Sequence, residues 1–244
     1  MVGGGAMSLR GDKETTKDVD MVFGTKKAGR VFVSALRKSS FVKEKDQDDV
    51  YGLLDAYAIM RDDDFFWFDV FHKRVCKKFY LSRGVKERAE EWGTYGNFRL
   101  LLCSREDIFL SKSVTDRDRD LEDMMALYRR VLDPDVILEE CDTQTRNSEM
   151  IWHLFLEKKL KEMEAMYGMT VPWRVELMEI GGRMLLERMV PDLIADGPCT
   201  VAQISKRYDV EEVLVRSVLS ELEDRGHIRV DRKKRPNLYY LKQK

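Results

Sequence analysis

The chain has 244 residues, 43% of them hydrophobic, enough for one large domain or two ordinary ones with a real core. Charged residues make up 36%, above the roughly 25% of ordinary soluble domains, yet the formal net charge is only −1. Such a balance excludes a general polyanion binder, so any nucleic-acid contact needs a local basic patch.

The four cysteines (Cys76, Cys103, Cys141 and Cys199) form no CxxC pair, and the three histidines (His72, His153 and His227) are scattered. A zinc site or disulfide framework is therefore not expected; buried free thiols in a reducing compartment are. No run of about 18 apolar residues exists and no charged-then-apolar leader, which predicts a cytoplasmic protein with no membrane partner.

In chain order, Gly3, Gly4 and Gly5 read as a tight turn feeding a short helix over 6–9. A strand follows over 18–23, where Val19, Met21 and Phe23 alternate with Asp18, Asp20 and Val22. Residues 28–38 have helical spacing. Strands are predicted over 57–60, 65–71 and 99–103 from their aromatic and β-branched content, and 104–132 turns helical again. The fold class is α+β, with helices beside a mixed sheet. From 143 to 194 the pattern is purely helical. Met150, Ile151, Leu154, Phe155, Leu160 and Met163 form one stripe. Pro172 suits the first turn of the next helix, where Val175, Met178, Leu185 and Leu186 are apolar and Met178, Met184 and Met189 are expected as core filler. Asp196-Gly197-Pro198 closes this region.

Beyond it, Thr200 and Gln203 fit a capping box opening a short helix. A turn at Tyr208-Asp209 leads to a helix over 211–225, which Gly226 stops. A strand at 227–230, a basic loop over 231–237 and a strand over 238–241 complete the chain. The expected domains are 1–142, a helical region over 143–195, and 196–244.

The chemistry concentrates near the start. On a strand, Asp18 and Asp20 point to the same face. Two such carboxylates repel unless a cation sits between them, and hard oxygen donors suit Mg²⁺. Asp69, in the apolar strand Trp67-Phe68-Asp69-Val70-Phe71, is costly unless paired or metal-bound. Gly4 and Gly5 precede a helix, where free N–H groups favour phosphate, with Arg10, Lys13 and Lys17 nearby. The alternative for Asp18 and Asp20 is a solvent-facing edge strand; for Asp69, a strand end capping a turn.

Gly4-Gly5 followed by Asp18-Val19-Asp20, with Asp69 as a third acid, resembles the signature of the nucleotidyltransferase superfamily. The fuller strings Gly3-Gly4-Gly5-Ala6 and Thr16-Lys17-Asp18-Val19-Asp20 are similar to the toxin-like members of abortive-infection and type IV toxin–antitoxin systems. Lys112, followed by Arg117-Asp118-Arg119-Asp120-Leu121-Glu122-Asp123, resembles the Lys…Arg-Asp-x-x-Asp block of that group. The resemblance covers about the first half of the chain. It implies Mg²⁺ held by Asp18, Asp20 and Asp69, an NTP seated by Gly4, Gly5, Lys112 and Asp120, and transfer of a nucleotide to an unidentified acceptor. Ala6 departs from the pattern, since more active transferases often carry serine there. Read without the resemblance, the run 116–123 is equally a solvated helix face, and Lys112 a snorkelling side chain.

The C-terminal helix, turn, helix and two-stranded wing resemble the winged-helix family. The resemblance implies DNA contact through Arg216 on the second helix and Arg232, Lys233, Lys234 and Arg235 on the wing. Glu211, Glu212, Glu221, Glu223 and Asp224 on that helix are poor neighbours for phosphates, so a protein partner or a homodimer stays open beside DNA. The overall alternative to an active transferase is a catalytically silent member acting as a winged-helix DNA-binding regulator.

Overall fold

A computed structural model describes residues 1–44, 56–64, 66–115 and 117–242. The sequence expectations touching Phe65, Asp116 and Lys244 fall outside them. The chain divides into two compact units, residues 1–174 and 175–244, so the division lies inside the helical stretch expected over 143–195.

The first unit is built on a four-stranded mixed sheet in the order β1–β4–β3–β2, where β1 is Asp18–Phe23, β2 Val42–Lys43, β3 Ala58–Arg61 and β4 Trp67–His72. Strands β1 and β4 run parallel, and β3 pairs antiparallel with both β4 and β2. Helix α2 (Lys26–Lys38) lies on one face. It buries Val33 and Leu36 against Ala58, Met60 and Val70, with Phe23, Phe32, Phe41 and Phe68 packed around them. Thr25 caps α2 by accepting from the Ala28 amide at 3.2 Å, which starts the helix two residues before the predicted 28. The polar Lys26 and Lys27 carry no periodicity that could mark those positions.

Helix α1 (Gly3–Leu9) differs from expectation, since the three glycines lie inside it rather than in a preceding turn. Packing overrides their weak helix propensity. Residues 3–7 are all buried, and Val2 pairs with β1 through its amide to the Asp20 carbonyl at 3.0 Å. Gly3 has φ +68°, and a Cβ there would meet Asp20 Oδ2 at 2.0 Å.

Two hairpins follow, β5 (Arg74–Val75) with β6 (Phe79–Tyr80), and β7 (Glu90–Tyr95) with β8 (Phe98–Leu102). Between them lies the short helix α3 (Arg83–Arg88). Strand β7 was not predicted because it is exposed almost throughout and shows no alternation. The predicted helical stretch 104–132 is two helices, α4 (Arg105–Lys112) and α5 (Asp118–Tyr128). Helices α6 (Pro134–Arg146) and α7 (Trp152–Tyr167) complete this unit, with Ile137, Cys141, Trp152, Leu156 and Leu160 fully buried.

The second unit contains most of helix α8 (Arg174–Ala195). Pro172 precedes this helix rather than lying in its first turn. Leu186, Val190 and Ile194 point into a core with Ile204, Val215, Val218, Leu219 and Leu222. That orientation leaves Met178 and Met189 about half exposed, so neither is core filler. The Thr200–Gln203 capping box forms as predicted and opens α9 (Val201–Tyr208). Asp209 turns the chain in the left-handed region into α10 (Glu212–Asp224), and Gly226, at φ +72°, follows it. Strands β9 (Ile228–Asp231) and β10 (Leu238–Leu241) pair antiparallel. All four cysteines are free; Cys103 and Cys141 are buried, Cys76 and Cys199 partly so. Among the described residues no helix is long and apolar enough to cross a membrane.

Gly3→Ala is expected to destabilise the first unit by about 2 kcal/mol or more, since it forces a side chain into a left-handed position and against the Asp20 carboxylate. Urea denaturation followed by circular dichroism measures this, and an unchanged midpoint would mean that α1 is not packed as described.

Candidate active site

The site grows from the pairing of β1 with β4. In their parallel register Asp20 stands beside Asp69, and Asp18 beside Trp67. Residues two apart share a face, so Asp18, Asp20, Asp69 and Phe71 turn away from α2 while Val19, Met21 and Val70 are buried. The three aspartates line one pocket with Gly4, Lys13, Thr16, Cys76, Lys112, Arg117, Arg119 and Asp123. His72, three residues beyond Asp69, falls on the opposite face of its strand.

Electrostatics mark the pocket. Burial raises the Asp69 carboxyl to about 7, with the charges of Asp20 and Asp18 adding to the shift. Burial also raises Asp20 to about 6; Lys112 opposes the shift and Asp18 adds to it. Asp18 is half exposed, with an Arg119 guanidinium nitrogen 3.8 Å away. Among the described residues no group of three or more His, Cys, Asp or Glu side chains is arranged to hold a metal ion. The donors present are carboxylates, the type that Mg²⁺ takes one or two at a time alongside phosphate and water.

The glycines divide. A Cβ on Gly4 would lie 3.0 Å from Thr16 Oγ1 and 3.9 Å from Lys13 Nζ, so this residue borders the pocket. A Cβ on Gly5 would press on Val19 Cα at 3.4 Å and Met1 Sδ at 3.3 Å, so Gly5 serves the packing of α1 on β1 and does not reach the pocket.

Lys112 and Asp120 belong to a buried ionic network. Lys112 Nζ donates to Asp120 Oδ1 at 2.8 Å and lies 2.7 Å from Asp123 Oδ2. Asp120 Oδ2 accepts from Thr115 at 2.5 Å and from Arg117 at 2.9 Å. Burial alone would raise Asp120, but Lys112, Thr115 and Arg117 outweigh it and hold the carboxyl below its ordinary range. The partners of Asp120 thus lie inside the network, and it does not line the pocket, whereas Lys112 does. Asp123 also lines it and accepts from Lys13 Nζ at 2.7 and 3.0 Å, so one carboxylate brackets two lysines. Asp123, Thr16, Arg119 and Cys76 had not been singled out as site residues. Asp123 and Arg119 stand in the charged block after Lys112 and Thr16 opens the string that holds Asp18 and Asp20, while Cys76 carries no sequence signal.

On the C-terminal unit, Arg216 is tied to Glu212 at 2.7 Å and Arg232 to Glu223 at 2.9 and 2.8 Å. Lys233, Lys234 and Arg235 are exposed. The outer face of α10 carries Glu212 and Val213, the latter 75% exposed, with Glu211 just before it.

Comparison with models of known protein families gave no match, and comparison with curated protein sequences gave none either.

Two outcomes are expected. Unfolded, both Asp20 and Asp69 titrate near 3.8, while in the folded chain they hold their protons up to about 6 and about 7. Between those limits the native state binds more protons than the unfolded state, so this pair makes stability fall as pH rises from about 4 to about 7. Asp69→Asn should remove part of that fall, seen as a smaller difference in unfolding free energy between pH 5 and pH 8 than in the parent. Second, Asp120→Ala strips Lys112 and Arg117 of a buried partner and should cost on the order of 3 kcal/mol. A chemical melt with no such loss would show that the network is not formed.

Proposed function

We propose that the chain is a nucleotidyltransferase, moving a nucleotidyl group from an NTP to a hydroxyl on an acceptor. One observation carries the reading: the parallel register that sets Asp20 beside Asp69, in a pocket also lined by Asp18, Lys13, Lys112, Arg117 and Arg119. Carboxylates and cations lining one small cavity suit a metal–triphosphate better than they suit a neutral ligand.

In this reading Asp18, Asp20 and Asp69 would hold Mg²⁺, which when bound would offset charge on the phosphates and on the leaving group. Lys13, Lys112, Arg117 and Arg119 would meet the phosphate oxygens. Gly4 lets the chain near Thr16 stand close to them. The acceptor oxygen forms a bond to the α-phosphorus as the bond from that phosphorus to the bridging oxygen breaks, and pyrophosphate leaves. The hydroxyl proton would pass to a carboxylate oxygen of the site that does not hold the metal.

The C-terminal unit is read as a winged helix that brings a partner. A catalytically silent DNA-binding regulator is the less favoured reading, because Arg216 and Arg232 are already tied to glutamates. Those exposed pairs are weak, but the carboxylates would still face the phosphates.

The test is incubation with labelled NTPs, Mg²⁺ and total cell lysate. Transfer of label is expected, lost on chelation, and reduced by at least about a hundredfold in Asp18→Asn and in Asp20→Asn with the fold retained. Undiminished transfer in both variants would reject the assignment.

A further inference from the structure

We propose that the outer crest of α2 and the cleft beside it form a binding surface for single-stranded nucleic acid, on the face of the sheet away from the aspartates. Three observations meet there. Helix α2 (Lys26–Lys38) carries Lys26, Lys27, Arg30, Arg37 and Lys38 and no acidic residue. All five cations are exposed, and among the described residues none of them forms an ion pair. The contrast is with Arg10, Arg88, Arg105, Lys112, Arg174 and Arg232, each held by a carboxylate. In a chain of formal net charge −1, an unpaired run of this kind is a local source of positive potential.

The second observation is the cleft between α2 and the turn of the β7–β8 hairpin. It measures about 650 Å³, and among the described residues no carboxylate lines it. Its walls are Phe23, Val31, Phe32, Tyr95 and Phe98, with Lys27 and Asn97 among them. Phe32 and Phe98 stack at 5.4 Å, which fixes the floor. Above it Tyr95 and Val31 are each 63% exposed, a large uncovered apolar area for a surface otherwise rich in charge.

The third is their geometry. Helical spacing puts Lys27, Val31 and Lys38 on the crest of α2, bordering Ala28 and Ala35 at the cleft, while Lys26, Arg30 and Arg37 follow on the other flank. The crest runs about 20 Å. A strand laid along it meets cations with its phosphates and can turn bases into an aromatic slot, the combination by which proteins hold unpaired strands. A duplex would use the cations but leave Tyr95 and Phe98 idle, because its bases are already stacked. An acidic peptide would likewise use the cations without a planar group for the slot. The proposal does not depend on the transferase reading, since this surface lies on the opposite face of the sheet from Asp18, Asp20 and Asp69.

The experiment is fluorescence anisotropy of a labelled single-stranded RNA of about 12 nucleotides with the full chain at low salt. Binding is expected, with affinity falling steeply as salt rises. Lys27→Glu/Arg30→Glu should weaken it at least about tenfold and flatten the salt dependence. Tyr95→Ala should weaken it about tenfold with the salt dependence unchanged, because it removes stacking and no charge. Lys233→Glu/Arg235→Glu on the C-terminal hairpin should bind like the parent. All of these positions are exposed, and unchanged circular dichroism spectra establish that the variants are folded. No binding at low salt, full binding by the α2 variant, or a loss confined to the Lys233/Arg235 variant would overturn the proposal. So would a duplex bound as tightly as the single strand with Tyr95→Ala indifferent, or a poly-aspartate peptide displacing the RNA at equal charge.

Discussion

The parallel alignment of β1 with β4 places two carboxylates side by side at half-buried positions, an arrangement that costs free energy. What holds it is the opposite face of the same strands. Val19 and Met21 on β1 and Val70 on β4 are buried, and Phe68 packs into the cluster under α2. A slip of one residue on either strand would exchange these apolar side chains for aspartates in the core. The apolar register therefore imposes the proximity of Asp20 and Asp69, and burial together with mutual repulsion moves their proton affinities toward neutrality. The site is the tax on a well-packed sheet.

Helix α1 is fitted to the same constraint. Its glycines let the helix backbone come close to β1: a side chain at Gly3 would strike Asp20, and one at Gly5 would be pressed between Met1 and Val19. On the far side of the pocket, Asp123 and Asp120 hold Lys13, Lys112 and Arg117 in place. Exposed ion pairs contribute little to stability, but these are largely buried, and in such pairs the loss of one partner leaves the other charge unsolvated.

Much of this was legible in the sequence where local chemistry decides. The Asp18/Asp20 alternation, the isolated Asp69, the Thr200–Gln203 capping box and the helix–helix–hairpin order near the C-terminus each follow from spacing or capping rules. Where long-range packing decides, the sequence was silent or misleading. Three consecutive glycines form a helix only because β1 lies against them. Gly5 looks like Gly4 as a residue, yet one packs on Val19 and the other borders the pocket. Asp120 lies in a charged run that spacing alone cannot divide into network and pocket. Strand β7 has no pattern to read, since both of its faces are mostly exposed. The cations of α2 stood in plain view, but that Glu223 and Glu212 engage Arg232 and Arg216 while nothing described engages Lys27 or Arg30 becomes visible only in three dimensions.

The balance of charge around the aspartate pocket bears on how quickly a ligand arrives. Four aspartates and four basic side chains line it. Seen from beyond a Debye length of about 8–10 Å, such a cavity is close to neutral and projects little field into solution. The proposed nucleotide would then not be drawn in from afar; it would arrive by ordinary diffusion and be held by contacts made at short range. Its association rate should vary little with ionic strength, while the dissociation rate carries the discrimination between ligands.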